Sequence, residues 1–378
     1  MISPENFCAA LAKHDIDFFA GVPDSILKDL SGYITTNFPP ENHVIAANEG
    51  NAVALASGHY LATSKPAAVY MQNSGIGNAI NPLLSLADQL VYSIPMLLII
   101  GWRGEPGKKK DEPQHAKQGA VTLPLLEAMG IEYVLLDDSI QEISSTIDNL
   151  VLIMKESSAT VALVVSAGTF EKYPYTQPNK QHLPMSREQA INAIAELLSS
   201  DDLIVSTTGM ASRELFECRE RLGQGHASDF LTVGSMGHAS QIALSVAAQT
   251  PDRRVICIDG DGAALMHLGA MAISGTSQQS NFIHLVINNG AHDSVGGQPT
   301  SAQKIDLPSV ALACGYASVI SVETLEDLTK SLRNLEKLSG PTFIEINVRS
   351  GARSDLGRPT TSPIENRDAF MKNIRNGS

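Results

Sequence analysis

Cysteine is scarce in this sequence. There are four in 378 residues, Cys8, Cys218, Cys257 and Cys314, scattered and without C-x-x-C spacing. This excludes a disulfide framework, argues against a zinc site, and fits the buried thiols of a reducing compartment. Basic residues are few as well: 27 Lys and Arg face 40 Asp and Glu, for a net charge of −13. That balance argues against nonspecific binding to nucleic acid or to an anionic membrane. It also means that any anionic ligand must find its positive potential locally, from a metal, from helix N-termini or from a few Lys and Arg. Long apolar runs are missing; Ile94–Ile100 is about one buried strand, well short of a membrane span. No basic-then-apolar leader is visible, because Met1 runs straight into the helix start Ser3-Pro4. The expectation is a cytoplasmic protein with no membrane or nucleic-acid partner.

What is present is an ordinary globular composition, 43% hydrophobic and 18% charged, long enough for two domains. Short apolar runs alternate with helical segments, the pattern of parallel βαβ units. In the first half the runs are Phe18–Ala20, His43–Ala47, Ala67–Met71, Met96–Gly101, Tyr133–Leu136 and Thr160–Val165. The pattern breaks at 167–183, around Tyr173-Pro174-Tyr175, and the rhythm then resumes. The fold class expected is α/β, with two doubly wound parallel-sheet domains. The expected boundaries are 1–170 and 186–350, joined by a linker at 171–185 and followed by a polar tail at 351–378. Helices are expected near Ala52–Thr63, Leu123–Met129 and Ile140–Lys155, with a polar loop from Arg103 to Gln118. Ligands should gather at the strand C-terminal ends.

One pair of strand ends carries the strongest chemical signal. The apolar run Val255–Ile258 leads into Gly260-Asp261-Gly262, and a second run, Ile283–Ile287, ends in Asn288-Asn289. Asn289 lies 28 positions after Asp261 (289 − 261), so neighbouring strands deliver a carboxylate and an amide oxygen to one edge. A few hard oxygen ligands suit Mg²⁺ that is also held by phosphates. The glycines let backbone N–H groups approach a phosphate at a helix start. The stretch reads as a diphosphate–Mg²⁺ cradle.

With GDG followed by NN at this spacing, the sequence resembles the thiamin diphosphate (ThDP) enzymes. The resemblance implies that Asp261, Asn289 and the carbonyl of Ala291 bind Mg²⁺. It implies diphosphate contacts from Gly260, Gly262, the backbone of Ala263, and Thr208-Gly209-Met210. Glu49, in AANEGNA after a strand, matches the family's glutamate that activates the cofactor through its aminopyrimidine ring. Gly234-Ser235-Met236-Gly237 resembles the segment that bends the cofactor, with Met236 as the wedge and the Gly234 carbonyl as an acceptor. Gln72 and Asn73, at another strand end, join the cofactor set. Two features of the family carry over to architecture: a pyrimidine-binding domain precedes a diphosphate-binding domain, and the active site lies between subunits of a homodimer or larger assembly. The larger 2-oxo acid decarboxylases carry a third, central domain, and this chain has only a short linker there. That layout, with GVPDS, NEGNA and the GWRGEPG…DEPQH segment, is similar to the branch that decarboxylates small 2-oxo acids bearing a second anion, phosphonate or sulfonate.

Such a substrate needs cations. Arg103 at a strand end, Lys108 beside it in the run Lys108-Lys109-Lys110, and Arg353 and Arg358 in the tail are the candidates, the last two if the tail folds over the site. Asp24, Ser25, His115 and His292 are candidates for proton transfer, since imidazole exchanges protons near neutral pH. Phosphonate is the expected second anion, with an aldehyde and CO₂ as products of a phosphonate-biosynthesis step, and sulfonate is the alternative. A non-catalytic ThDP-binding subunit is the reading from another class, and the intact Glu49, Asp261 and Asn289 argue against it. A nicotinamide-binding protein is disfavoured because GDG-AAL lacks the third glycine of that fingerprint.

Overall fold

The computed structural model describes residues 1–108, 111–137, 142–177 and 183–376. Lys109, Lys110, the first residues of the helix expected at Ile140, and residues 178–182 of the expected linker lie outside the described residues. The chain forms two compact units, 1–177 with 295–298, and 178–294 with 299–378.

The first unit is built on six parallel strands: β1 (Phe19–Gly21), β2 (His43–Ile45), β3 (Ala67–Gln72), β4 (Met96–Gly101), β5 (Glu132–Leu136) and β6 (Val161–Val165). Their order across the sheet is β2-β1-β3-β4-β6-β5. Alternate residues of one strand feed opposite layers. Ala68, Tyr70, Leu97 and Ile99 pack on one face with Phe7, Leu11 and Leu150, and Val69, Met71, Leu98 and Ile100 pack on the other with Val53, Ala56 and Leu126. Burial on both faces is why these strands are continuous apolar runs rather than alternating ones.

The second unit repeats the plan with β7 (Leu203–Ser206), β8 (Asp229–Leu231), β9 (Val255–Gly260), β10 (Phe282–Asn288), β11 (Ser318–Val322) and β12 (Thr342–Asn347). The order is β11-β12-β10-β9-β7-β8, again all parallel. Ile256, Ile258, Leu285, Ile287 and Ile344 face one layer of helices, and Val255, Cys257, Phe282, Val286 and Phe343 face the other.

In each sheet two neighbouring strands send their connections in opposite directions, β1 and β3 in the first, β7 and β9 in the second. Such switch points open a crevice at the strand C-terminal ends. Residue 24 follows β1 and Gln72 ends β3; Thr208 follows β7 and Asp261 follows β9.

Three local boundaries differ from the sequence reading. The helix expected from Ala52 begins at Glu49, because Asn48 caps it by accepting the Asn51 N–H at 2.9 Å. The polar loop after β4 ends at Glu112, and a helix runs Pro113–Ala128 with Pro113 in its first turn, where a missing N–H costs nothing. Of the tail, Pro363–Asn376 forms a helix that packs on β8: Asn366 bonds Leu231 N and Asp229 O, and Phe370 lies against Phe230. No helix among the described residues is long and apolar enough to cross a membrane.

Candidate active site

In the first unit, the strand ends bring several of the expected residues into a buried polar arrangement. Glu49, in the first helical turn after β2, is buried, and its Oε2 accepts Asn78 Nδ2 at 2.7 Å. Burial raises its pKa above the usual carboxylate value, and the Asn78 bond only partly offsets this. Its other face lies against Gly75, where a Cβ would sit 2.3 Å from Oε1. Only glycine fits there.

Asp24 is fully buried. One carboxylate oxygen accepts the N–H groups of Ile26 and Leu27, and the other accepts Gln72 Nε2 at 2.7 Å, so the Gln72 side chain bridges the β1/β3 switch point. Asn73 is committed to the fold: it holds both the N–H and the carbonyl of Arg103 and also bonds Thr122. Arg103 is thereby fixed at the end of β4, but its guanidinium is already engaged. Two nitrogens fork onto Asp111 at 2.6 and 2.7 Å, and a third donates to Ser25 Oγ at 2.7 Å. The fork holds the Asp111 carboxyl well below its usual range. His115, expected on a loop, lies buried in a helical first turn with Nδ1 3.1 Å from Asp111 Oδ2. Ser25, Arg103, Asp111 and His115 therefore form one linked group, Asp24 and Gln72 form a second, and Lys108 is exposed.

In the second unit, β9 and β10 run side by side with Gly260 level with Ile287, so Asp261 and Asn289 emerge from adjacent strand ends. Asp261 is buried, accepts the Thr300 hydroxyl, and is pushed by burial up to about 6. Asn289 donates its amide to Asp293 Oδ2 at 2.7 Å, while its Oδ1 accepts Ala291 N–H at 3.1 Å. Next to Asp261, the space over Gly262 is taken by the His292 ring and the Met236 methyl, 3.1 and 3.3 Å from where a Cβ would be. Burial lowers the His292 pKa to about 4. The turn carrying Met236 is strained in the way glycines permit, with positive φ at Gly234, Ser235 and Gly237. Thr208 braces it, accepting the Gly234 N–H at 2.9 Å, and Gly209 turns at φ +96° into the helix that Met210 begins. Arg353 is occupied by Glu188, Glu217 and Asp355 of the same unit. Arg358 also has an interaction partner.

These residues fit a divalent cation and a phosphate ligand. Asp261 is a dehydrated carboxylate that no Lys or Arg compensates among the described residues, and a cation would relieve the cost of its charge. The carbonyl-type oxygen of Asn289 keeps a lone pair for a metal. The helix start at Asp261–Ala263, on the same edge, suits a diphosphate. Glu49, with one oxygen bonded and its charged form disfavoured by burial, suits a ring nitrogen as hydrogen-bond partner.

The sequence did not single out Asn78, Asp111, Thr300, Arg187 or Asp293, each of which holds one of these residues in place. His238 and His267, rings 4.4 Å apart, also adjoin the Met236 turn, since a Cβ on Gly237 would meet His267 at 2.7 Å. The visible signal was local: Asn78 follows the glycines of GIGN, and Thr300 follows GGQP.

Comparison with known proteins shows the family. The thiamine pyrophosphate enzyme N-terminal TPP binding domain matches residues 5–123, and the C-terminal TPP binding domain matches residues 207–346. The chain belongs to the thiamin diphosphate enzymes, in their decarboxylase branch, and ThDP is its cofactor. It is 35% identical over 380 residues to the phosphonopyruvate decarboxylase of Streptomyces viridochromogenes, covering 97% of this chain and 93% of that one. It is 34% identical to the phosphonopyruvate decarboxylase of Streptomyces hygroscopicus, over 97% and 92%. To the sulfopyruvate decarboxylase of Methanosarcina acetivorans it is 28% identical, over 99% and 98%.

Proposed function

We propose that this protein decarboxylates 3-phosphonopyruvate to phosphonoacetaldehyde and CO₂ in phosphonate biosynthesis, using ThDP and Mg²⁺. The observation that carries the reading is the similarity to two phosphonopyruvate decarboxylases along 97% of the chain. The C–C bond to the carboxylate breaks, CO₂ leaves, and one proton is added to the former carbonyl carbon. ThDP, when bound, supplies the carbon nucleophile that adds to the ketone and the sink for the electron pair CO₂ leaves behind.

The chain's own residues do the rest. Asp261, Asn289 and the Ala291 carbonyl hold the metal. Gly260, Gly262 and Ala263, with Thr208, Gly209 and Met210, receive the diphosphate. Met236 would pack against the cofactor, the Gly234 carbonyl would accept from its amino group, and Glu49 would hydrogen-bond the pyrimidine, with Gln72 and Asn73 shaping that end. Arg103 and Lys108 face the substrate dianion, with Arg358 as a further cation from the tail; Arg353 is committed to Glu188, Glu217 and Asp355 and would have to leave them to join the site. In this reading the Asp111 fork sets the geometry in which Arg103 meets an oxyanion. Asp24, Ser25, His115 and His292 supply proton transfers, with Ser25 and His115 already in the Arg103 group. Two copies of the chain complete the site, the pyrimidine domain of one facing the diphosphate domain of the other, and the cytoplasm is the proposed location.

The discriminating experiment measures kcat/KM for 3-phosphonopyruvate and for 3-sulfopyruvate on one holoenzyme preparation. Phosphonopyruvate should be preferred by at least about tenfold, on the order of 1.4 kcal/mol of differential transition-state binding. A preference for sulfopyruvate would replace the substrate and leave the chemistry standing.

A further inference from the structure

At its own strand end Asn289 has one contact that marks its oxygen, the Ala291 N–H donating to Oδ1 at 3.1 Å, and its NH₂ end needs a partner from elsewhere. A side-chain amide is nearly symmetric in shape, and only one of its ends can ligate a cation. Something must hold the nitrogen end away from the metal. The structure supplies it in Asp293, four residues on, whose Oδ2 accepts Asn289 Nδ2 at 2.7 Å. An ionised carboxylate only accepts, so it selects the NH₂ end and leaves the oxygen facing the other way.

Asp293 is itself held from two elements, one of them braced by a third. Arg187, buried at the start of the helix Arg187–Leu197, reaches Asp293 Oδ2 with Nη1 at 3.2 Å. The other nitrogens of Arg187 fork onto Glu214 of the helix Met210–Arg221, at 2.8 and 3.0 Å. The backbone N–H of Gly351, just beyond β12, donates to the same Asp293 oxygen at 2.8 Å. Glu214 is almost wholly buried, so the pair is not an exposed ion contact that solvent would dissolve. Counted together, Glu214, Arg187 and Asp293 leave one negative charge in surplus, one side chain behind the amide. That charge polarises the amide so that its oxygen is a better ligand for a cation.

We propose that Asp293 is a positioning residue for the metal: held by the buried Arg187–Glu214 pair and by the Gly351 N–H, it fixes the Asn289 amide so that the oxygen is presented to Mg²⁺. The inference rests on the reading of Asp261 and Asn289 as metal ligands. Partners of this kind behind a metal ligand are worth roughly 10–100-fold in metal affinity. Asp293 touches neither metal nor substrate in this scheme, so its effect belongs in metal binding before it belongs in turnover.

The test is a Mn²⁺ titration, followed by electron paramagnetic resonance, of the full-length protein with ThDP present. Asp293→Ala should raise the half-saturating Mn²⁺ by roughly tenfold or more. Asp293→Asn, which can still accept from Asn289 but lacks the charge, should recover part of that loss. At saturating metal, kcat should fall by less than the affinity does. Mn²⁺ binding to Asp293→Ala as tight as to the unsubstituted protein would overturn the inference. Should Asp293→Ala not fold, as judged by its melting profile, Arg187→Lys decides, because it keeps the charge and loses the fork; a weakened Mn²⁺ affinity supports the scheme and an unchanged one overturns it. Asp261→Ala separates the two levels of the argument. If it binds Mn²⁺ normally, the cradle itself is misassigned; if it loses Mn²⁺ while Asp293→Ala does not, only the positioning role fails.

Discussion

Gly75→Ala is a single methyl aimed at the proposed activating carboxylate. The new Cβ would stand 2.3 Å from Glu49 Oε1 and 2.6 Å from both Cδ and Cγ. Comfortable contacts between such atoms lie at about 3.5–4.0 Å, so the carboxyl group must retreat by about 1 Å. It cannot simply swing aside, because Glu49 is buried and tethered to Asn78. Backbone strain is not the issue, since Gly75 has the αR conformation of an ordinary helical residue. A misplacement of about 1 Å in a group that must be aligned costs on the order of 100-fold in rate, or about 2.7 kcal/mol of barrier. Loss of the Asn78 bond would add about 1–3 kcal/mol of destabilisation from a buried group left unpaired. The assay is kcat at saturating ThDP, Mg²⁺ and phosphonopyruvate, with a melting curve in parallel. A cycle with Glu49→Gln shows whether the effect runs through Glu49: where the carboxylate is already gone, adding Gly75→Ala should cost little further rate. A Gly75→Ala enzyme with kcat within about threefold of the parent, where roughly 100-fold is expected, would refute the reasoning.

Three further outcomes are expected. Glu49→Gln should stabilise the cofactor-free protein at neutral pH, since burial raises the Glu49 pKa and the folded state therefore penalises its charge. That penalty is absent below the ordinary value of 4.5, where the group is neutral folded and unfolded, and is complete once pH exceeds the raised folded value. Melting curves should thus show a gain at pH 8 that vanishes near pH 4, and a gain independent of pH would contradict the assignment. Met236→Ala should weaken ThDP binding and turnover by about tenfold or more by emptying the space beside Gly262 and His292, and Met236→Leu should restore most of it, as read by cofactor titration. Arg103→Lys keeps the charge but loses the Asp111 fork, so KM for phosphonopyruvate should rise by about tenfold with folding intact; an unchanged KM would remove Arg103 from substrate binding.

The central strands were legible in the sequence because they are buried on both faces, which writes them as apolar runs such as Met96–Gly101 and Val161–Val165, whereas the edge strands Glu132–Leu136 and Ser318–Val322 are partly exposed. The parts of the proposed cradle were visible because they sit at strand ends next to glycines, and the structure brings Asp261 and Asn289 to adjacent strand ends. What stayed hidden depends on partners that folding brings together. Nothing near Arg103 in a linear reading says that Asp111 will take its fork, and nothing near Asp261 points to Thr300, 39 positions on. The Glu214–Arg187–Asp293 set comes from three separate elements and has no spacing rule at all. The helix beginning at Pro113 was missed for a different reason. Its first turn is polar and follows charged residues, which reads as loop, although Pro at the first helical position is itself a start signal.

The account stands most directly on one measurement: CO₂ and phosphonoacetaldehyde formed from 3-phosphonopyruvate by the purified protein, with ThDP and Mg²⁺ added or withheld. The account predicts the two products in equal amounts, dependence on both cofactor and metal, and loss of turnover in Glu49→Gln. Phosphonopyruvate left unconsumed by a protein shown to bind ThDP would contradict it.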